Sequence, residues 1–160
     1  MKNDRIIDIA VVGCGRICRA HIEAIINQRH RANLKVICDS DVDKLREIKN
    51  VISDSFARAG EISHSVLEYR SYKELLNAFK NKELNLDLVI LATPSGLHSK
   101  QVIMAANHGL HVCTEKPMAT RWSDGLNMVE ACDDAAVNLF VVKQNRFSPT
   151  LQLLKKQINN

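Results

Sequence analysis

A nearly unbroken apolar run that closes on a Gly-x-Gly turn constrains this chain more than any other feature. Ile6–Val12 is interrupted only by Asp8, the pattern of a strand buried on both faces of a sheet. Gly13-Cys14-Gly15-Arg16-Ile17-Cys18 follows at once. The period then changes: over Ile17–Gln28, the residues Ile17, Ala20, Ile22, Ala24 and Ile25 supply the apolar side of a helix.

The same alternation continues along the chain, and it predicts βα units around a doubly wound, mostly parallel α/β sheet of the Rossmann type. Leu34–Cys38 reads as the second strand, ending at Asp39-Ser40-Asp41, where Ser40 or Asp41 can cap the next helix. Residues 50–65 are the least regular: a helix continues through part of Val51–Ala59, Gly60 is a stop signal, and Ser65–Tyr69 is a short third strand. Ser71-Tyr72-Lys73-Glu74 has the form of a capping box opening a helix through Phe79. Leu86–Ala92 is the fourth strand, Thr93-Pro94-Ser95-Gly96 its turn, and His98–Asn107 a helix that stops at Gly109. Leu110–Thr114 forms the fifth strand and leads into Glu115-Lys116-Pro117. A helix from about Ser123 to Ala136, a sixth strand Val137–Val142 and a helix opened by Ser148-Pro149 complete the pass.

Composition excludes several classes. A net charge of +4 comes from scattered lysines and arginines, and 4% aromatic content offers no stacking platform, so no nucleic-acid partner is expected. The apolar runs fall well short of the ~20 residues that span a bilayer, and the N-terminus does not read as a signal peptide. A cytoplasmic protein is expected. Five cysteines without Cys-x-x-Cys spacing fit reduced packing thiols. Cys14, Cys18 and His21 are conceivable metal ligands, but the thiols lie in a turn with another task, so no metal is expected.

That task is dinucleotide binding. Gly13 permits a tight backbone path, and Gly15 has no Cβ to obstruct a pyrophosphate. The helix beginning near Arg16 and Ile17 aims amides and the positive end of its dipole at the phosphates. Cys18 stands where a third glycine or alanine is usual. Asp39, 21 residues further on at the end of the second strand, can accept hydrogen bonds from both adenosine ribose hydroxyls and would repel a 2′-phosphate, which favours NAD over NADP. The alternatives are an ordinary loop for the glycines and a helix cap for Asp39.

Together with Thr93-Pro94-Ser95-Gly96-Leu97-His98, the run Gly109–Pro117 and Lys143-Gln144-Asn145-Arg146, these segments resemble the glucose–fructose oxidoreductase / inositol dehydrogenase (Gfo/Idh/MocA) family of sugar dehydrogenases. Thr114–Met128 and Val142–Lys155 look most like dehydrogenases of nucleotide-activated amino sugars. Those enzymes oxidise a ring hydroxyl of UDP-N-acetylglucosamine or its uronate in surface-polysaccharide synthesis. The resemblance implies that Thr93 and Pro94 line the cofactor cleft, with His98 either beside them or engaged at the helix start. It brings Glu115 to the nicotinamide ribose and sets Lys116 between that ribose and the reacting hydroxyl, as the catalytic and substrate-binding cation. Gln144 and Arg146 face the cofactor or substrate cleft, and the Lys116–Pro117 bond is cis.

The family's catalytic aspartate–histidine pair and its usual homo-oligomer interface come from a second domain. Residues 1–147 match the dinucleotide-binding domain, and residues 148–160 begin a helix leading towards that second domain. These 160 residues are therefore expected to be a cofactor-binding half, inactive alone. The alternative is a stand-alone NAD-binding module or regulatory subunit without turnover.

Overall fold

Strand β1 (Ile7–Val12) occupies the middle of a six-stranded parallel sheet ordered β3-β2-β1-β4-β5-β6. The structure is a computed structural model and describes residues 5–60 and 65–158. Around β1 lie β2 (Ala32–Cys38), β3 (Leu67–Tyr69), β4 (Leu88–Leu91), β5 (His111–Thr114) and β6 (Leu139–Val141), every neighbouring pair parallel. The helices are α1 (Cys18–Asn27), α2 (Val42–Arg58), α3 (Tyr72–Lys80), α4 (His98–Ala106), α5 (Trp122–Asp134) and α6 (Pro149–Ile158). The strand order reverses between β1 and β4, and this switch opens a crevice at the carboxyl ends of the strands.

Alternation along the strands divides the core into two layers. Ile9 and Val11 point to one face with Leu34, Ile37 and Ile90, where Ile22, Ile25, Ile26, Leu45, Ile48, Ile52 and Phe56 of α1 and α2 cover them. Ala10 and Val12 point the other way with Val36, Val89 and Val112, beneath Leu75, Leu76, Val102, Met128 and Cys132 of α3, α4 and α5. Each fully buried aliphatic side chain contributes about 1.5–3 kcal/mol. Asp8, the one polar residue of the first run, sits at the opposite end of the sheet from the crevice. Its carboxylate accepts from Asn33 Nδ2 at 2.8 Å, and its amide donates to Asp87 Oδ2 at 2.9 Å.

The structure resolves the irregular stretch. α2 runs unbroken to Arg58 and Gly60 follows with φ +73°, while β3 begins only at Leu67. The expected irregularity at residues 61–64 lies outside the described residues. Asp41, not Ser40, caps α2 by accepting from the amides of Asp43 and Lys44. Ser71 Oγ accepts from the Glu74 amide, as the capping pattern predicts. Trp122 is 83% exposed at the start of α5, and the inner face of that helix belongs to Met128 and Cys132.

All five cysteines are free, and Cys14, Cys18, Cys38 and Cys132 are buried. A hydrogen bond with Cys18, reinforced by burial, pushes the Cys14 thiol up. Burial, with a smaller contribution from Asp39, pushes Cys38 up to about 12, and burial with Glu115 pushes Cys113 to about 11. These three groups therefore stay protonated and unreactive through pH 8. In native protein at pH 8, Ellman's reagent should modify them far more slowly than after denaturation in guanidinium. Mass mapping that finds Cys14 labelled equally fast in both states would contradict this.

Candidate cofactor and active site

Five residues just beyond the strands are each anchored by an amide bonded to a neighbouring strand. Gly13 donates to Cys38 O (2.8 Å), Asp39 to Tyr69 O (3.2 Å), Ala92 to Val12 O (2.8 Å), Glu115 to Leu91 O (3.1 Å) and Val142 to Thr114 O (2.9 Å). The sheet ladder thus extends into the loops, and every segment singled out in the sequence leaves it along one edge.

The two glycines of the first turn serve different ends. Gly13 has φ +93°, and a Cβ there would lie 2.7 Å from Ala92 O, 2.8 Å from Ala92 C and 2.9 Å from Thr93 N. All three are backbone atoms that cannot rotate away. A Cβ on Gly15 would meet nothing within 4 Å, so the space above it is open. α1 begins beside that space with Ile17 at its N-cap, no side-chain cap and no acidic residue in its first turn. Arg16 and Ile17 are exposed there. Cys18 and Ala20 turn their amides to Gly15 O (3.1 Å) and Ile17 O (3.1 Å), and the other opening amides, with no side-chain cap and no competing carboxylate, suit an anion. Cys18, in the third-glycine position, is fully buried, and its small side chain lets α1 pack on the sheet.

Asp39 is part of the same turn and not the cap of α2. Its Oδ2 accepts from the Cys14 amide at 2.7 Å and its Oδ1 from the Asp41 amide at 3.0 Å. A carboxylate offers about four lone-pair directions, so two remain for hydroxyl donors.

At the other end of the crevice, Thr93 and Pro94 follow β4, with the Thr93 hydroxyl donating to Gln101 Oε1. Of the two positions open to His98, beside the cleft or engaged at the helix start, the structure shows the engaged one. His98 is 0% exposed, with Nδ1 2.9 Å from Pro117 O and Nε2 2.9 Å from Thr93 O. With both ring nitrogens engaged by backbone carbonyls, it ties the turn after β4 to the turn after β5 and offers no face to a ligand.

Glu115 is buried, and its carboxylate is held from two sides. Oε1 lies 2.9 Å from His21 Nε2 on α1, and Oε2 accepts from the Lys116 amide at 3.2 Å. His21 was not recognised from sequence as a site residue. The available signal is its position between Cys18, Ile22 and Ile25 on the buried stripe of α1. Among the described residues no group of three or more metal-ligating side chains gathers, and His21 faces Glu115.

The Lys116–Pro117 bond is cis. Lys116 lines one groove of about 830 Å³ with the distant segment that holds Gln144 and Arg146, together with Lys143, Asn145, Phe147, Leu151, Gln152 and Lys155.

The model of the oxidoreductase family with an NAD-binding Rossmann fold, GFO_IDH_MocA, matches residues 7–143. The chain belongs to the Gfo/Idh/MocA family. Solved relatives include the WlbA dehydrogenase of Bordetella pertussis in complex with NADH and UDP-GlcNAcA, which is 46% identical with a TM-score of 0.80 over 97% of this chain and 42% of that one. The Chromobacterium violaceum WlbA dehydrogenase in complex with the same two ligands is 44% identical, with a TM-score of 0.81 over 98% of this chain and 41% of that one. Myo-inositol 2-dehydrogenase of Thermotoga maritima is 30% identical over 95% of this chain and 40% of its own length. The chain thus spans well under half the length of these relatives.

This Gfo/Idh/MocA domain has the features NAD needs: open space above Gly15, uncapped amides on α1, and Asp39 fixed at the end of β2. Replacing Gly15 with alanine should leave the unfolding midpoint nearly unchanged and weaken NADH binding at least tenfold. Gly13→Ala should destabilise the fold by several kcal/mol, since strained φ and backbone overlap act together. Equal destabilisation by the two variants in urea titrations would contradict this division of roles. His21→Ala leaves Glu115 Oε1 without its partner, at a cost of about 1–3 kcal/mol. It should lower both the thermal midpoint and NADH affinity; a variant matching the native protein in both would remove His21 from the site.

Proposed function

We propose that the protein is a cytoplasmic NAD-dependent dehydrogenase that oxidises a ring hydroxyl of a UDP-N-acetylated amino sugar or its uronate, in surface-polysaccharide synthesis. The observation that carries this reading is the position of Lys116. It follows the C-terminal end of β5 and shares a groove with Gln144 and Arg146, in a chain that aligns over nearly its whole length with dehydrogenases holding NADH and UDP-GlcNAcA.

In this reading the α1 amides hold the diphosphate of the cofactor, Asp39 takes the adenosine ribose hydroxyls, and Thr93, Pro94 and Glu115 border the nicotinamide half. When bound, NAD accepts the hydride. The ammonium of Lys116 orients the sugar hydroxyl and stabilises negative charge as it develops on that oxygen. Glu115 fixes the backbone from which Lys116 projects, through the 3.2 Å bond to its amide. His98 keeps the Thr93 and Pro117 carbonyls in a set relation. The base that removes the hydroxyl proton is assigned to a part of the relatives' length beyond this domain. α6 supports that assignment: none of its residues is buried, and Leu151, Leu153, Leu154 and Ile158 stand exposed beside Phe147 at 82%, a surface suited to packing against further protein. A fully polar surface there would have favoured a self-sufficient binding module.

In the intact protein, NAD+ with UDP-GlcNAcA or UDP-GlcNAc should produce NADH, read at 340 nm. Lys116→Met should lower kcat by about 10²–10³-fold while leaving NADH affinity within a few-fold. Native protein that binds NADH yet oxidises neither sugar nucleotide would contradict the proposed substrate. A Lys116→Met enzyme with native kcat would remove the lysine from the chemistry.

A further inference from the structure

Trp122 belongs neither to the core nor to the cofactor edge; it opens a stripe along α5. Trp122, Leu126 and Val129 are 83%, 52% and 44% exposed. With Asp133 they recur at intervals of four, three and four residues, the spacing of a seam between two paired helices. α4 lies on the side of Asn127 and Ala131, nearly opposite the stripe on the helical wheel. β6 is the edge strand of the sheet, and among the described residues nothing covers the stripe. A groove of about 450 Å³ runs beside it, with Met118, Ala119 and Gly125 in its lining. Glycine weakens a helix interior, yet a Cβ on Gly125 would meet only Ala119 Cβ at 3.8 Å, an ordinary contact. Nothing within the domain requires glycine there; close approach by an outside side chain would. The charges are divided along the helix: Arg121 stands exposed at its start and Asp133 exposed at its end. Among the described residues neither has an ion-pair partner.

We propose that this face of α5 is an interface with a second copy of the chain, the two helices packed antiparallel about a two-fold axis beside Leu126. Such a contact needs a surface complementary to itself, and this one is. Antiparallel pairing sets Leu126 against Leu126 of the copy and Trp122 against Val129 of the copy, with Gly125 leaving room for that valine. The same register brings Arg121 to Asp133 of the copy, twice over by symmetry. A partner of a single charge would match one end of the helix and repel the other. Exposed tryptophan is also among the side chains that most often anchor an interface. The face shares no residue with the groove beside Lys116, so the inference stands apart from the dehydrogenase reading.

The test is cross-linking and mass measurement on the intact protein. Leu126→Cys, oxidised with copper phenanthroline, should yield a covalent dimer on a non-reducing gel; the native protein and Lys80→Cys, on exposed α3, should not. In the Leu126→Cys background, Arg121→Asp and Asp133→Arg should each lower the yield several-fold, and the two together should restore it. Trp122→Asp should halve the mass in solution by light scattering, whatever other contacts the assembly has, with the circular dichroism spectrum and NADH affinity unchanged. No Leu126→Cys dimer at any protein concentration would overturn the proposal, as would a double charge reversal no better than the single ones. Trp122→Asp with a lowered thermal midpoint but native mass would also overturn it and assign the face to another segment of the same chain. A folded Trp122→Asp protein with native mass and native thermal midpoint would overturn it too, leaving the face without an occupant.

Discussion

A single row of backbone hydrogen bonds along the carboxyl edge of the sheet is the constraint from which the site follows. Gly13, Asp39, Ala92, Glu115 and Val142 each donate to the neighbouring strand one step beyond the regular ladder. Parallel register therefore continues into the loops, and residues more than a hundred positions apart share one edge. The row also demands the close approach of Gly13 to the Ala92–Thr93 backbone, which any side chain at Gly13 would prevent. The crevice is thus a consequence of strand order and one absent Cβ.

Two buried polar residues transmit that order to the turn that carries Lys116. Glu115 is held by His21 from α1 and in turn holds the Lys116 amide, so the first helix and the turn after β5 are mechanically joined. His98 joins the turns after β4 and β5 through the Thr93 and Pro117 carbonyls. Buried polar groups persist only when their partners are satisfied, and among the described residues no buried side-chain polar atom lacks one. These residues position the turns, while Lys116, Gln144 and Arg146 line the groove beside them.

Much of this was legible in the sequence because the fold depends on period and punctuation. The change from a continuous apolar run to a helical repeat at Gly13–Cys18 located the first βα unit, and Asp39 was readable from its distance beyond the turn. Strand ends were less legible. Leu86 and Val137 are apolar yet lie outside the ladder: the Asp87 amide turns to Asp8 O, and the Val137 amide closes the end of α5 on Cys132 O. α2 extends to Arg58 because Leu45, Ile48, Ile52 and Phe56 form one stripe across a stretch whose surface residues gave no clear signal. The partners of His21 and His98 are purely tertiary; no local pattern shows that one meets a glutamate just beyond β5 and the other two carbonyls.

The central claim is that one dinucleotide bridges the α1 amides and the Lys116 end of this edge. A crystal structure of the protein grown with NADH tests it most directly. The account predicts diphosphate oxygens within hydrogen-bond distance of the amides that open α1, ribose hydroxyls on Asp39, and the nicotinamide ring beside Lys116. Clear density for the coenzyme anywhere else on the molecule, with the space above Gly15 filled only by solvent, would contradict it.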